Sequence, residues 1–253
     1  ICHPSMANNE LSGPVVTTAL AKWIDSLSNR KYTYRIIFIP ETIGSIAYLS
    51  KNLKVLKDNI IAGFNISCVG DDRCYSYLPS RSGKSISDKA ALNTLNFIDP
   101  NFIKYTWLDR GSDERQYCSP GIDLPVVTLM RSPPGKFDEY HTSADNFDSI
   151  SAESLDEVYR ACLQYVETIE ENYYYINMFS KCEPQLGKRG LYRKVGGQRS
   201  NQVSQVAIKW VLSYSDGNNS LLDISEKSGL KISDLSLAAK KLEKQRIIVR
   251  ILK

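Results

Sequence analysis

Residues 60–72 read Ile-Ile-Ala-Gly-Phe-Asn-Ile-Ser-Cys-Val-Gly-Asp-Asp, an apolar run that closes on a glycine and two carboxylates. A run of this length, rich in β-favouring residues, predicts a strand over residues 60–69 that is buried on both faces. On either side of it, residues 43–56 and 85–98 have apolar positions at helical spacing. Buried strands that alternate with amphipathic helices are typical of an α/β domain with a largely parallel sheet.

The remainder of the N-terminal part extends this alternation. Further strands are predicted at residues 34–39, 102–107 and 126–130, and further helices at residues 13–28 and 151–178. In open sheets of this kind, active sites lie beyond the carboxyl ends of the strands. We therefore expect functional residues in the loops that follow the strands.

Composition places the chain among ordinary soluble proteins, with 42% hydrophobic and 24% charged residues. No apolar run reaches the roughly 18 residues that a membrane-spanning helix needs, so we expect no membrane partner. The six cysteines include no Cys-x-x-Cys pair, which favours reduced thiols in a cytoplasmic protein over disulfides or a zinc ribbon. The chain opens on Ile1-Cys2-His3 without an initiator Met or a signal peptide, and we interpret this as an N-terminally incomplete domain.

Charge divides the chain into two parts. From Leu186 onward there are 14 Lys and Arg against 5 Asp and Glu, whereas the preceding residues carry 18 against 23. Such an asymmetry indicates two modules with different partners. We therefore predict a larger domain over residues 1–185 and a basic module over residues 186–253.

The basic module has the element order of a winged helix-turn-helix domain. Helical periodicity covers residues 201–214, 221–227 and 234–245, a turn is predicted at residues 216–219, and the β-rich residues 246–252 are predicted as one wing strand. Five cations on or after the third helix are candidates for phosphate contacts: Lys240, Lys241, Lys244, Arg246 and Arg250. The start of that helix lacks an Arg or Asn that would read a base edge. We therefore favour a protein-contact role, including a homo-oligomer, over nucleic-acid binding.

The chain has two histidines, His3 and His141, and both lie in predicted loops. Glu41 and Asp71 closely follow predicted strands, so these four side chains are expected at one edge of the sheet. Zinc accepts imidazole nitrogens and carboxylate oxygens, and a catalytic site keeps one position for water. The other interpretation is that the histidines are solvated and that the carboxylates cap turns or helices. Spacing alone leaves both interpretations open.

Four segments, in order, resemble motifs of the co-catalytic zinc aminopeptidase family, which also includes glutamate carboxypeptidases and the transferrin-receptor ectodomain. They are His3 with Ala-Asn-Asn-Glu-Leu-Ser-Gly at 7–13, Pro-Glu-Thr-Ile-Gly at 40–44, Ser-Asp at 112–113 with Gly-Ile-Asp-Leu-Pro at 121–125, and Tyr-His-Thr-Ser-Ala-Asp at 140–145. This resemblance covers most of residues 1–180. It implies a three-layer α/β/α aminopeptidase-like (phosphorylase/hydrolase-like) domain.

A second resemblance spans nearly the whole chain. Residues 2–8 (Cys-His-Pro-Ser-Met-Ala-Asn), 70–81 (Gly-Asp-Asp-Arg-Cys-Tyr-Ser-Tyr-Leu-Pro-Ser-Arg) and 182–192 (Cys-Glu-Pro-Gln-Leu-Gly-Lys-Arg-Gly-Leu-Tyr) are similar to segments of a prokaryotic family. That family joins an aminopeptidase-like domain to a C-terminal winged helix, and some members are associated with surface-polysaccharide genes. The resemblance implies that the first strands of the sheet lie upstream of Ile1.

Carried over to this chain, the first resemblance implies that His3, Asp71 and His141 bind zinc. Glu41 is implied as the general base that accepts a proton from metal-bound water. The implied activity is hydrolysis of a peptide or amide bond in a small substrate.

Three positions depart from the family pattern. Asn9 stands where the family has a carboxylate that bridges two metals, Thr42 replaces the second Glu of a Glu-Glu pair, and Ser5 replaces an Asp that orients the first His. Glu10 or Asp72 is a candidate replacement ligand. Three alternatives follow: one zinc ion, which we favour, two ions in a rebuilt site, or a site without metal.

Tyr75, Tyr77 and Arg81 follow Asp71 in the same loop and are predicted to bind substrate. The planar guanidinium of Arg81 suits a substrate carboxylate, although a solvated surface Arg is the alternative. Two functions other than a hydrolase remain open. One is a binding or scaffold protein on a catalytically inactive peptidase fold, and the other is a regulator whose winged helix binds DNA.

Overall fold

A mixed four-stranded sheet forms the centre of the larger unit, in the strand order β1-β4-β2-β3. The strands are β1 (Gly63–Ile66), β2 (Ser76–Leu78), β3 (Ile103–Lys104) and β4 (Val126–Met130). β1 runs parallel to β4, β4 antiparallel to β2, and β2 parallel to β3. Because β1 and β4 end at the same edge, the loops that follow these two strands lie at that edge.

The structure, a computed structural model, describes residues 1–3, 5–191 and 204–251. The chain divides into two units, residues 1–166 and residues 167–253. Within the described residues, no helix combines the length and the apolar character that crossing a membrane requires.

Helices precede, separate and follow these strands, and the apolar periodicity predicts all of them except the short α4. They are α1 (Ser12–Ser26), α2 (Ile43–Asn59), α3 (Ile86–Ile98), the short α4 (Glu114–Tyr117) and α5 (Ala152–Glu170). Val16, Leu20 and Ile24 recur every fourth residue along α1 and are all buried. Ser85 begins α3 with a capping box, in which its side chain and that of Asp88 bind each other's backbone N–H groups.

Helix α1 approaches the end of β1 very closely, and this contact positions the turn before the helix. A Cβ atom at Gly13 would lie 2.2 Å from the carbonyl oxygen of Ile66, so the approach requires glycine. The π-helical turn Ala7–Leu11 leads directly into α1. That turn therefore lies beside the carboxyl end of β1.

The second unit is a winged helix-turn-helix with a three-stranded antiparallel sheet of order β6-β5-β7. Its elements are β5 (Tyr174–Asn177), α6 (Gln205–Tyr214), β6 (Asp216–Ser220), α7 (Leu221–Ser228), α8 (Ile232–Lys244) and β7 (Ile248–Ile251). Ser220 caps α7, and Gly229 ends it in a left-handed conformation, as the sequence predicts. The fully buried side chains include Ile208, Leu221, Leu235 and Leu242.

The prediction of one helix over residues 151–178 is wrong beyond Glu170. Tyr174–Asn177 instead forms β5, which pairs with β6 on one side and with β7 on the other. Residues 216–219, predicted as a turn, belong to β6. The boundary between the two units therefore lies before the expected residue 186, because β5, the central strand of the second sheet, precedes that residue.

The buried strand predicted at residues 34–39 is also wrong. These residues form no strand in the structure, and the side chains of Ile36 and Phe38 are 38% and 49% exposed. A β-favouring sequence becomes a strand only where a neighbouring strand supplies backbone hydrogen bonds. The printed backbone hydrogen bonds at its end involve Ile1, whose nitrogen donates to the carbonyl oxygen of Ile39 at 2.8 Å and whose carbonyl oxygen accepts the N–H of Glu41 at 3.4 Å, and this contact does not extend into a strand pair. For a similar reason, the strand predicted at residues 102–107 shortens to Ile103–Lys104.

Candidate active site

His3 and His141 meet in the folded protein, with their ring centroids 4.2 Å apart and their planes tilted by 44°. His141 has a φ of +57°, a left-handed conformation that is uncommon outside glycine. The ring of Tyr140 stacks on the His141 imidazole at a centroid distance of 3.8 Å. The two imidazoles singled out by the sequence are therefore direct neighbours.

Glu10 turns toward the first of these imidazoles. Its Oε1 lies 3.6 Å from Nδ1 of His3 and accepts a hydrogen bond from the Asn9 side chain at 3.1 Å. Its Oε2 accepts the backbone N–H of Cys2 at 2.8 Å. Nδ1 of His3 is buried and has no hydrogen-bond partner. Glu10 thus lies beside His3, within ion-pair distance of Nδ1 but without a hydrogen bond to it.

The turn that carries Glu10 is held by Asp145, whose role the sequence analysis missed. Its carboxylate accepts the backbone N–H groups of Asn8 at 2.6 Å and Asn9 at 2.9 Å. The Asn8 side chain in turn accepts the N–H of Gly70 and donates to Asp71. The signal was present, since Asp145 ends the quoted segment at 140–145. It acts here as an anchor that ties the two histidine loops together.

Asp71, predicted as a metal ligand, is buried but engaged by other groups. Its oxygens accept the Asn8 side chain at 2.7 Å and the backbone N–H of Arg73 at 2.9 Å. Across the described parts of the chain, no group of three or more His, Cys, Asp or Glu side chains is arranged to hold a metal ion. Two of the acceptor positions of Asp71 are therefore occupied, and a preformed metal centre is not seen among these residues.

Glu41, the predicted general base, lies at the head of α2. Burial raises the pKa of its carboxyl, and the charges of Asp113 and Glu10 raise the pKa further, while Arg115 opposes them. The guanidinium of Arg115 is 3.6 Å from Oε1 of Glu41. Asp113 and Arg115 were not predicted as site residues, although Asp113 belongs to the quoted Ser-Asp motif.

The predicted substrate-binding side chains have other partners. The hydroxyl of Tyr77 donates to Asp88 at 2.6 Å in the buried interior, and Arg81 forms a two-pronged ion pair with Asp123. The ring of Tyr75 is buried beneath the guanidinium of Arg131. The structure does not bring these side chains to the two imidazoles, because packing and ion pairing commit them elsewhere.

Asp72, the other candidate replacement ligand, is bound by two serine hydroxyls at the start of α5. It accepts hydrogen bonds from the hydroxyls of Ser151 and Ser154, both at 2.5 Å. These bonds lower the pKa of the Asp72 carboxyl. Asp72 is thus held at the start of α5, and Glu10 is the candidate replacement carboxylate that lies beside His3.

Two of the five cations predicted to face phosphates are engaged within the second unit. Lys240 pairs with Glu171 at 2.7 Å. The guanidinium of Arg250 lies 3.9 Å from the Tyr173 ring and 3.2 Å from Glu243. Fewer of these five cations are therefore available for phosphate contacts than the sequence alone indicates.

An α/β unit with paired histidines, followed by a winged helix, is the architecture of an aminopeptidase-like domain joined to a winged helix-turn-helix. Residues 1–172 match the family described as "Domain of unknown function (DUF4910)". Residues 173–250 match a family described as winged helix-turn-helix. The chain belongs to the DUF4910 family, and the resemblance inferred from its sequence is confirmed.

A relative from Clostridium acetobutylicum carries the name "Putative polysaccharide biosynthesis protein with aminopeptidase-like domain" and is 45% identical over 247 residues. The match covers 98% of this chain and 56% of that protein, so the chain spans about half the length of this relative. A crystal structure described as a "putative peptidase" from the same organism superposes with a TM-score of 0.89 at 42% identity. The superposition covers 99% of this chain and 56% of the chain in that crystal structure.

More distant structures confirm the predicted fold class. A zinc aminopeptidase from Bacillus subtilis has a TM-score of 0.52 at 20% identity, covering 64% of this chain and 42% of its own. An aminopeptidase from Aneurinibacillus has a TM-score of 0.50 at 17% identity, covering 64% and 39% respectively. At such identities the likeness establishes the fold alone.

Proposed function

We propose that the larger unit is a hydrolase of a peptide or amide bond, with His3, His141, Glu10 and Glu41 as its reactive groups. The observation that carries the proposal is the contact between the two imidazoles, with a Glu10 oxygen 3.6 Å from His3. The aminopeptidase-like fold supports the same reaction class. We further propose that the substrate is a small peptide or an amide-bearing metabolite or sugar.

The donor set fits one zinc ion better than two. Two imidazoles and one carboxylate form a known catalytic zinc ligand set, and His3, His141 and Glu10 would supply it here. The unpartnered, buried Nδ1 of His3 supports this assignment. No three-donor group is preformed among the described residues. The three donors would therefore come together only when the ion binds. A second ion would lack anionic ligands, since Asn9 and Thr42 are neutral.

When bound, zinc would lower the pKa of a coordinated water to about 7. The chain's own groups would provide the rest of the chemistry. The raised pKa of Glu41 suits this carboxylate to accept a proton from water and to return it to the leaving amine. Asp145 would keep the Asn8–Asn9 turn, and with it Glu10, in place beside the histidine.

The test is turnover of aminoacyl anilides, short peptides and N-acyl sugars by the full chain, with and without added zinc. We expect zinc-dependent hydrolysis that Glu41→Gln lowers by about 10²-fold or more. Glu183→Gln is the matched control, since Glu183 is exposed and lies in the second unit. If the zinc-loaded wild-type chain hydrolyses none of these substrates, the hydrolase proposal fails.

A second candidate is a binding or scaffold protein on the same fold. The neutral Asn9 and Thr42, together with the lack of a three-donor group among the described residues, favour it. It predicts that wild type and Glu41→Gln bind the same ligand with equal affinity and without turnover. Calorimetry under the conditions of the turnover assay separates the two candidates.

For the second unit we propose protein contact, including contact with a second copy of the chain, ahead of DNA binding. The engagement of Lys240 by Glu171 and of Arg250 by Tyr173 and Glu243 supports this order. A steep fall of DNA affinity with salt would instead indicate phosphate contacts. We also propose a cytoplasmic location, in keeping with six free cysteines.

A further inference from the structure

Thr42, the residue after Glu41, occupies a strained conformation. Its φ is +60° and its ψ is −69°, and the N–H of Ile43 donates to the carbonyl oxygen of Glu41 at 2.7 Å. This is a three-residue turn of the rare, strained kind. A non-glycine residue in such a conformation is energetically unfavourable and persists only where surrounding contacts hold it.

Two side chains from one neighbouring segment supply those contacts. Oδ1 of Asp113 accepts the backbone N–H of Thr42 at 2.8 Å. Arg115 donates to the Thr42 hydroxyl at 2.9 Å. The same Arg115 nitrogen lies 3.6 Å from Oε1 of Glu41. Asp113 and Arg115 therefore hold the strained residue and reach the carboxylate beside it.

The segment that carries these two side chains is itself fixed to the sheet. Glu114, between them, is 1% exposed. One of its oxygens accepts the backbone N–H groups of Gly111 and Ser112. The other accepts the Asn65 side chain from β1 and the Thr128 hydroxyl from β4, each at 3.1 Å. A buried, fully engaged carboxylate thus ties α4 to the two parallel strands.

We infer that Asp113 and Arg115 are positioning residues for Glu41, which they direct by holding Thr42 in its strained turn against the sheet-anchored α4. This inference rests on the proposed hydrolase function for its catalytic meaning. The rival explanation is that both contacts merely stabilise the loop. The two explanations differ in whether kcat responds when the contacts are removed.

The experiment compares wild type with Asp113→Ala, Asp113→Asn, Arg115→Met and Arg115→Lys in the full chain. Arg160→Gln is the matched control, because Arg160 forms an exposed ion pair with Asp156 on α5. Two quantities are measured: hydrogen exchange of the Thr42 amide by NMR, and kcat and KM on an amide substrate of the panel above. The first readout needs no activity.

We expect Asp113→Ala to raise the exchange rate of the Thr42 amide about tenfold, the equivalent of one lost hydrogen bond, while the Leu49 amide inside α2 stays protected. We expect its kcat to fall by about 10²-fold with KM changed less than about threefold. Asp113→Asn keeps an acceptor oxygen and restores most of kcat. Arg115→Met lowers kcat without loss of folding, and Arg115→Lys recovers part of it.

Unchanged Thr42 exchange in Asp113→Ala overturns the inference. So does a wild-type kcat in Arg115→Met when wild type is active, a result that leaves the hydrolase proposal intact. If wild type is inactive, the hydrolase proposal fails, and the exchange measurement alone still decides whether Asp113 holds the turn. Should Asp113→Ala not fold, Arg115→Met carries the test, since this side chain is 41% exposed.

Discussion

The ring centroids of His3 and His141 lie 4.2 Å apart, although the two residues are far apart in the sequence of the larger unit. Two separate anchors produce this contact. Asp145 binds the backbone of Asn8 and Asn9, and Gly13 lets α1 approach the end of β1. Because this contact depends on several long-range interactions, single substitutions at the two histidines can test the proposed chemistry.

The first prediction concerns metal content. His3→Asn and His141→Asn should each lose the zinc that wild type retains after dialysis, because each removes one of the three proposed donors. The loss of affinity should exceed the 10- to 100-fold that removing an outer-shell partner costs. Elemental analysis of the purified chain gives the zinc-to-protein ratio.

Cys182→Ser is the control for zinc held by an exposed thiol, since Cys182 is exposed and lies in the second unit. It should keep the wild-type zinc content. Equal zinc in wild type and in both histidine variants would contradict the proposed ligand set.

The second prediction concerns the titration of Glu41. Because the positive charge of Arg115 opposes the raised pKa of this carboxyl, Arg115→Met should raise the pKa further. Asp113→Asn should lower it, because a negative charge is removed. Carboxyl-carbon NMR across a pH series measures both shifts. Movement in the same direction in the two variants, or an equal shift in Arg160→Gln, would show that the charges do not act on Glu41 as described.

The third prediction concerns stability through Asp88. Burial opposes ionisation of this side chain, yet hydrogen bonds from Ser80, Ser85 and Tyr77 lower its pKa overall. A lowered pKa stabilises the fold above the unfolded-state pKa, near 3.9, and the stabilisation is lost as pH falls through the folded-state pKa. Asp88→Asn should therefore lower the free energy of unfolding at pH 7 by about 2–4 kcal/mol.

Urea unfolding at pH 7 and at pH 3 measures this effect, and the difference between variant and wild type should shrink at the lower pH. Asp58→Asn on the exposed face of α2 is the control and should change stability by less than about 0.5 kcal/mol. An equal loss of stability at both pH values would assign the effect to packing rather than to charge.

The fourth prediction concerns the start of the winged helix. A fragment of residues 167–253 should unfold cooperatively on heating, whereas a fragment of residues 186–253 should not. The shorter fragment lacks β5, the central strand between β6 and β7, and the Asn172 side chain that accepts the N–H of Leu222. Circular dichroism records both transitions. A cooperative transition at the same temperature in the shorter fragment would show that β5 is dispensable.

Local patterns predicted the helices well, and strands less well. The apolar spacing in α1, α2 and α3 is a property of successive residues, so it predicts each buried face without knowledge of a partner. Residues 34–39 and Tyr174–Asn177 have comparable β propensity, but only the second segment has strands on both sides. Strand formation depends on a neighbour that is distant in sequence, and a local pattern does not contain that information.

The candidate site shows the same division. The sequence alone determined that two histidines and several carboxylates lie in loops at strand ends, that the chain resembles an aminopeptidase-like family, and that a basic winged helix follows. Only the tertiary structure decided which carboxylates reach the histidines. Glu10 lies 3.6 Å from His3, whereas Asp71 accepts the Asn8 side chain and Asp72 accepts the Ser151 and Ser154 hydroxyls. The physical reason is that a polar side chain has few hydrogen-bonding atoms, and long-range partners engage them only when the chain folds.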